Sequence, residues 1–300
     1  MLEVKTNLNI IVCREKKSVI ACIFPLPVLQ YSKMSGRRIY IMGKFDGVLL
    51  CSDWDGTLTY GGALQKENIE AIRYFQKEGG YFTFASGRYA GHFKQFEPDI
   101  IPNTHVICVG GSCIMTREGE ILYERFCNER FEEYAKLLLR PDSPYQNVAV
   151  TYHGSDPIHF DKSTIHSAKA HEILSFPTIY KGIFLTETTE AAAEEALRFV
   201  APLKFEGYMP MRSFPFSIEL IPENGGKGKA VRWLANLLGC HLVVAVGDYE
   251  NDCDMLRMAD YGYAVSDGSP MAKAAANRFA ATAQSGAVAS VIEELDRELS

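Results

Sequence analysis

Three short apolar runs in this chain each lead straight into a polar cluster: GVLLC into SDWDGT at 52–57, YFTFA into SGR at 86–88, and LVVAV into GDYEND at 247–252. Apolarity that is continuous rather than alternating is what a parallel strand needs when both of its faces are covered. In an open α/β sheet the ligand lies just beyond the carboxyl ends of the strands. The three clusters are therefore expected to meet at one site.

The intervening chain fits that sheet. Residues 46–52 read as a buried strand. The segment 66–78 then puts Ile69, Ile72 and Phe75 on one helical face and ends at Gly79-Gly80. A strand at 80–85, a helix near 89–96 closed by Pro98 and a strand at 105–109 follow, and this alternation is the mark of a doubly wound, Rossmann-like parallel sheet. The pattern then breaks, because far more chain separates Ser86 from Lys227 than one crossover requires. Helical patterns at 131–139 and 188–200, with strand-like NVAVTYH, YKGIFLT and FSIELI, indicate an α+β domain inserted at 126–219. The sheet is expected to resume at 241–247 and 261–265, with helices at 227–238, 252–259, 270–277 and 286–298. Ser269-Pro270 supplies an N-cap and first-turn pair for the third of these. The α/β core is thus assigned to 42–125 and 220–300.

Residues 1–41 stand apart. A basic cluster (Arg14, Lys16, Lys17) precedes the apolar run SVIACIFPLPVLQY, which is too short for a membrane span and contains Pro25 and Pro27. It has the look of a signal-peptide core but lacks a small-x-small cleavage site. Met42 stands just before the first core strand, so 1–41 is expected to be an upstream extension with no part in the chemistry, with a secretion signal as the alternative reading.

A net charge of −6 gives no basic footprint for nucleic acid, so any phosphate recognition has to be local. The eight cysteines form no CxxC pair and no ladder of spacings, which points to a reducing, cytoplasmic setting without disulfides or structural zinc.

Asp53 and Asp55 lie two apart just past a strand, so extended backbone would direct both to one side. Gly56 permits a sharp turn, and Thr57 offers a hydroxyl. A strand running into an Asp-Gly turn would put the same residues there without chemistry, but two close carboxylates suit a nucleophile paired with a proton donor and acceptor. Asp248, Asn251 and Asp252 follow another strand directly. A helix N-cap needs only one of them, and three oxygen-bearing side chains beside two more carboxylates suit a hard cation, Mg²⁺ where phosphate is the partner. Ser86 and Gly87 can present a hydroxyl and backbone N–H to an anion, and Lys227 stands at a helix start. NGGKGKAV is not a Walker loop, and no GxGxxG follows a strand. The histidines at 153, 159, 166 and 171 lack zinc-ligand spacing, although His153 or His159 could meet substrate.

In order and spacing, SDWDGT, SGR, GGKGK and GDYEND resemble the motifs of the haloacid dehalogenase superfamily. The long insertion between the second and third resembles that of its Cof-like phosphatases with a type-2 (subclass IIB) cap. The resemblance spans about residues 43–298. It implies that Asp53 is the nucleophile and Asp55 the general acid/base, and that Thr57, Ser86, Gly87 and Lys227 hold substrate phosphate. It also implies that Asp53, Asp55 (through its carbonyl) and Asp248 ligate Mg²⁺, with Asn251 and Asp252 in support. Such a role for Asp55 asks for negative charge nearby to raise its pKa. The activity implied is Mg²⁺-dependent hydrolysis of small phosphorylated metabolites through an aspartyl phosphate. The alternatives are a sugar phosphomutase and a non-enzymatic phosphometabolite-binding regulator. Many relatives have Asn-Gly after the third strand where this chain has Gly110-Gly111-Ser112, so no substrate contact is transferred there. Trp54, bulky between the aspartates, is expected at the pocket edge.

Overall fold

The computed structural model describes residues 10–11, 31–34, 37–41, 43–89, 91–93, 99–153 and 157–299. Along the first half of the core run β1 (Val48–Ser52), α1 (Lys66–Lys77), β2 (Tyr81–Phe84), β3 (Val106–Cys108), β4 (Cys113–Met115) and β5 (Ile121–Glu124). A second unit follows, with α2 (Phe131–Leu138), β6 (Asn147–Tyr152), β7 (Ile158–Asp161), α3 (Ala168–Leu174), β8 (Ile179–Leu185), α4 (Glu190–Val200), β9 (Tyr208–Met211) and β10 (Ser217–Pro222). The chain then returns through α5 (Lys227–Leu238), β11 (Leu242–Gly247), α6 (Cys253–Met258), β12 (Tyr261–Val265), α7 (Pro270–Ala275), β13 (Arg278–Ala280) and α8 (Ala287–Glu298).

The core sheet has the order β13-β12-β11-β1-β2, with every pair parallel. A parallel bridge from Ala85 to Ile107 carries it on to β3, which opens the antiparallel meander β3-β4-β5. β1 is central and buried throughout. Val48 and Leu50 face one side, joining Ile72 and Phe75 of α1 and Val288, Val291 and Leu295 of α8. Leu49 and Cys51 face the other, joining Val231 and Leu234 of α5, Met255 and Leu256 of α6 and Ala272 of α7. That two-sided cover is why the run carries no polar alternation, and each large apolar side chain so buried contributes about 1.5–3 kcal/mol. The buried Asn68 amide joins α1 to α8, donating to the Leu58 carbonyl and accepting from the Ala289 N–H.

The second sheet is antiparallel, in the order β7-β6-β8-β10-β9. α2, α3 and α4 cover one face through Phe131, Tyr134, Leu138, Leu174 and Ala196, packed on Val148, Val150, Phe184 and Leu220. The other face, with Lys181 and Glu219, turns toward the core turns at Gly87 and Gly110. β10 runs to Pro222, three residues past the expected boundary at 219.

Several expectations need correction. Residues 91–93 form one 3-10 turn, Tyr89 is not helical, and the rest of the helix expected at 89–96 lies outside the described residues. Trp54 is not at a pocket edge: it is 1 % exposed, with its ring edge-on to Phe84 and Phe93, both at 4.9 Å. The extension at 1–41 falls largely outside the described residues, and its strands Ile10–Ile11, Tyr31–Met34 and Arg37–Ile41 pair with one another. Among the described residues no helix is long and apolar enough to cross a membrane.

Candidate active site

The carboxyl ends of β1 and β11, paired in register from Leu242 with Val48 to Val246 with Ser52, bring the first and last polar clusters together. The Asp53 N–H donates to the Val246 carbonyl at 2.9 Å, carrying the pairing one residue past the strand. The chain then turns on Gly56, whose φ of +78° is left-handed. A Cβ there would stand 2.6 Å from Asp248 Oδ2, so glycine is required both for the backbone and for space.

Lys227, the first residue of α5, lies beneath this junction and is 1 % exposed. Its Nζ donates to Asp53 Oδ1 at 2.5 Å and to Asp252 Oδ1 at 2.6 Å. The other Asp252 oxygen accepts the N–H groups of Asp248 (3.0 Å) and Tyr249 (3.1 Å), which fixes the 3-10 turn Glu250–Asp252 that also holds Asn251. The Thr57 hydroxyl donates to Asp248 Oδ1 at 2.9 Å, so it orients that carboxylate.

Burial pushes the Asp53 carboxyl well above the ordinary range, with Asp252 and Asp248 adding to the shift and Lys227 opposing it. Burial, then Asp252, pushes Asp248 up to about 7. Burial works against the Lys227 charge, but Asp252 and Asp53 outweigh it and hold its pKa above the ordinary value. Carboxylate oxygens of Asp53, Asp248 and Asp252 lie within 4.8 Å of one another. Three clustered acids, two of them buried, beside one ammonium make an oxygen-rich donor set that fits a divalent cation. Asp53 and Asp248 are the carboxylates that would hold it, because Asp252 gives one oxygen to Lys227 and the other to two backbone N–H groups.

The second cluster completes the constellation. Ser86 is buried, accepting the Arg88 N–H on its hydroxyl at 3.2 Å, and Gly87 follows it at the end of β2. Arg88 grips Asp55 with two bonds, Nε to Oδ2 and Nη2 to Oδ1, both 2.7 Å. The Asp55 side chain is 55 % exposed, and its partner is a guanidinium where negative charge was expected. Its carboxylate is outside the acidic cluster, in which Asp252 stands instead.

A model of the haloacid dehalogenase-like hydrolase family matches residues 50–292. The chain belongs to the haloacid dehalogenase-like hydrolases. YxeH of Bacillus subtilis, provisionally named a phosphatase, is 24 % identical over 273 residues, covering 82 % of this chain and 97 % of that one. A solved haloacid dehalogenase-like hydrolase from B. subtilis superposes with a TM-score of 0.66 at 21 % identity, covering 82 % of this chain and 99 % of that one. The subclass IIB sugar phosphatase BT4131 superposes with a TM-score of 0.65 at 18 % identity, covering 83 % and 98 %. The likeness in fold runs through the inserted unit as well as the core.

Within this hydrolase, Asp53, Thr57, Lys227, Asp248, Asn251 and Asp252 come together around the ends of β1 and β11, with Ser86 and Gly87 at the neighbouring end of β2. Arg88 was missed by the sequence reading, although its place in SGR, four residues past β2, whose neighbour β1 runs directly into Asp53, was a usable signal. Glu250 was missed too: it accepts two bonds from Arg212, beyond β9, and so ties the inserted unit to the Asp248 loop. The histidines do not gather. His153 pairs with Glu124 at 2.7 Å, His171 pairs with Glu132, and His159 lies on the edge strand β7.

Proposed function

We propose that the chain is a Mg²⁺-dependent phosphatase of small phosphorylated metabolites that works through an aspartyl phosphate. The observation that carries this reading is the buried Lys227 ammonium held between Asp53 and Asp252, beside Asp248, at the mouth of a parallel sheet. A phosphate monoester dianion repels a carboxylate, so attack by Asp53 needs positive charge on the phosphoryl oxygens. Mg²⁺ held by Asp53, Asp248 and the Asp55 carbonyl supplies part of that charge when bound.

The protein's own groups do the rest. Lys227 places the Asp53 carboxyl and opposes the burial that raises its pKa, Ser86 and the Gly87 N–H receive phosphoryl oxygens, and Asp53 in its ionised form attacks phosphorus in line with the leaving oxygen. Asp55 protonates that oxygen and then takes a proton from the water that cleaves the acyl phosphate. For this the Arg88 fork has to move off Asp55, and an incoming phosphoryl group offers it an alternative partner. The inserted unit acts as a cap that excludes water and folded partners, which supports small substrates. A sugar phosphate or cofactor-like phosphate fits this reading, in line with the similar sugar phosphatase BT4131 and the 5-amino-6-(5-phospho-D-ribitylamino)uracil phosphatase YitU of B. subtilis.

A screen of phosphorylated metabolites with and without Mg²⁺ tests the proposal. Metal-dependent phosphate release is expected. A strict need for a sugar bisphosphate would favour the mutase, and binding without turnover across the panel would favour the regulator.

A further inference from the structure

Lys181 on β8 and Glu219 on β10 are diagonal neighbours on the helix-free face of the second sheet. Lys181 Nζ donates to Glu219 Oε2 at 3.0 Å, and the residues are 2 % and 3 % exposed. The pair is wedged against the core at the proposed phosphate-binding turn. A Cβ built on Gly87 would stand 3.3 Å from Lys181 Nζ, and one on Gly110 would stand 3.9 Å from Glu219 Oε2. Gly87 has no left-handed φ, so its backbone does not call for glycine. A side chain there would instead crowd the Lys181 ammonium, which would have to shift by a few tenths of an ångström.

A buried ion pair with one hydrogen bond repays its desolvation poorly, and Glu219 takes only one of the three N–H donors of the ammonium. We propose that Lys181 is a phosphoryl-binding residue delivered by the cap: with an ester bound, its ammonium contacts a phosphoryl oxygen at the Ser86–Gly87 turn, and Glu219 holds it in place. The inference rests on the phosphatase reading above. It divides the site's positive charge between Lys227 of the core and Lys181 of the cap, so the phosphoryl cradle is complete only when the cap is seated.

The test is calorimetric titration of the full chain with orthophosphate in the presence of Mg²⁺, alongside KM and kcat on the best ester. Lys181→Gln removes the charge while keeping a donor for Glu219, and Lys181→Met with Glu219→Gln removes both charges together. Either is expected to raise the orthophosphate Kd and the ester KM roughly tenfold, the loss of one charge-assisted contact. Gly87→Ala is expected to weaken phosphate binding in the wild-type background and to add little in the Lys181→Gln background, since both act through one ammonium. Wild-type phosphate affinity in either Lys181 variant overturns the proposal, as does full additivity with Gly87→Ala. If the wild type itself neither binds orthophosphate nor hydrolyses any ester, the phosphatase reading fails and takes this inference with it. If the wild type binds and the variants bind equally, only this inference fails.

Discussion

Arg212 holds Glu250 with two bonds, Nε to Oε2 at 2.9 Å and Nη2 to Oε1, and so fastens the strand-rich cap to the turn between Asp248 and Asp252. Both side chains are partly buried. Truncating Arg212 leaves a charged acceptor short of its partner, a loss of about 1–3 kcal/mol. Because the pair bridges two separately packed units, the loss is expected to fall on the seated position of the cap. Arg212→Ala should lower kcat/KM on a small ester roughly tenfold while hardly moving the melting midpoint. Unchanged kinetics would mean that the cap seats without this pair.

Asp53→Asn keeps the shape and the hydrogen-bonding capacity of the side chain but removes the proposed nucleophile. Turnover should fall by roughly 10⁴-fold or more. The fold should persist, because Asp252 still partners Lys227 and one of three crowded acids has been neutralised. Phosphate release near the wild-type rate would exclude Asp53 as nucleophile.

The buried half of this architecture was legible because burial on both faces leaves an unbroken apolar run. β1, β12 and α5 lie within two residues of where periodicity puts them. Ser269 caps α7 as its sequence indicates, accepting the Ala272 N–H. Short edge elements such as β7 and β9 were not legible, since two or three inward residues make no period. Trp54 was misjudged because its neighbours in sequence are the two carboxylates Asp53 and Asp55, while its neighbours in space are Phe84 and Phe93. The partners of Asp55 and Glu250 depend on side chains 33 and 38 positions away in the chain, and no local pattern encodes those distances.

The acidic cluster should make stability depend on both pH and metal. Asp53 and Asp248 have folded pKa values above their unfolded ones, Asp248 at about 7. In the folded protein they hold protons that the unfolded chain has already released, so without metal their contribution falls as pH rises from the ordinary carboxylate range through about 7. A divalent cation favours the ionised forms and opposes that fall. Mg²⁺ should therefore raise the melting midpoint more at pH 8 than at pH 5. A larger gain at pH 5 would place metal binding elsewhere.

Lys227 and Lys229 sit two positions apart in surroundings that differ sharply. The first is buried between two carboxylates, and the second is exposed, bonding the Glu223 carbonyl. Lys227→Ala leaves buried charge uncompensated, at a cost of about 3–5 kcal/mol, and should abolish turnover. Lys227→Met with Asp252→Asn should recover part of the stability without the activity. Lys229→Ala should change stability by no more than about 0.5 kcal/mol. The reverse ranking in thermal melts and turnover would move the proposed phosphate-holding role to position 229.

Arg88 and Asp55 separate two roles that a single rate measurement would confuse. Asp55 as acid matters most when the leaving oxygen is a poor anion, so Asp55→Asn should cost far more on an alkyl phosphate than on p-nitrophenyl phosphate. Arg88 carries a fixed positive fork and no transferable proton at working pH, so its contribution concerns phosphoryl charge and is indifferent to the leaving group. Arg88→Ala should lower kcat/KM on the two esters by similar factors, and Arg88→Lys should recover little because two parallel bonds need the planar fork. Equal losses on both esters for Asp55→Asn would remove Asp55 from the acid role. A loss in Arg88→Ala confined to the alkyl ester would show instead that the guanidinium acts through Asp55.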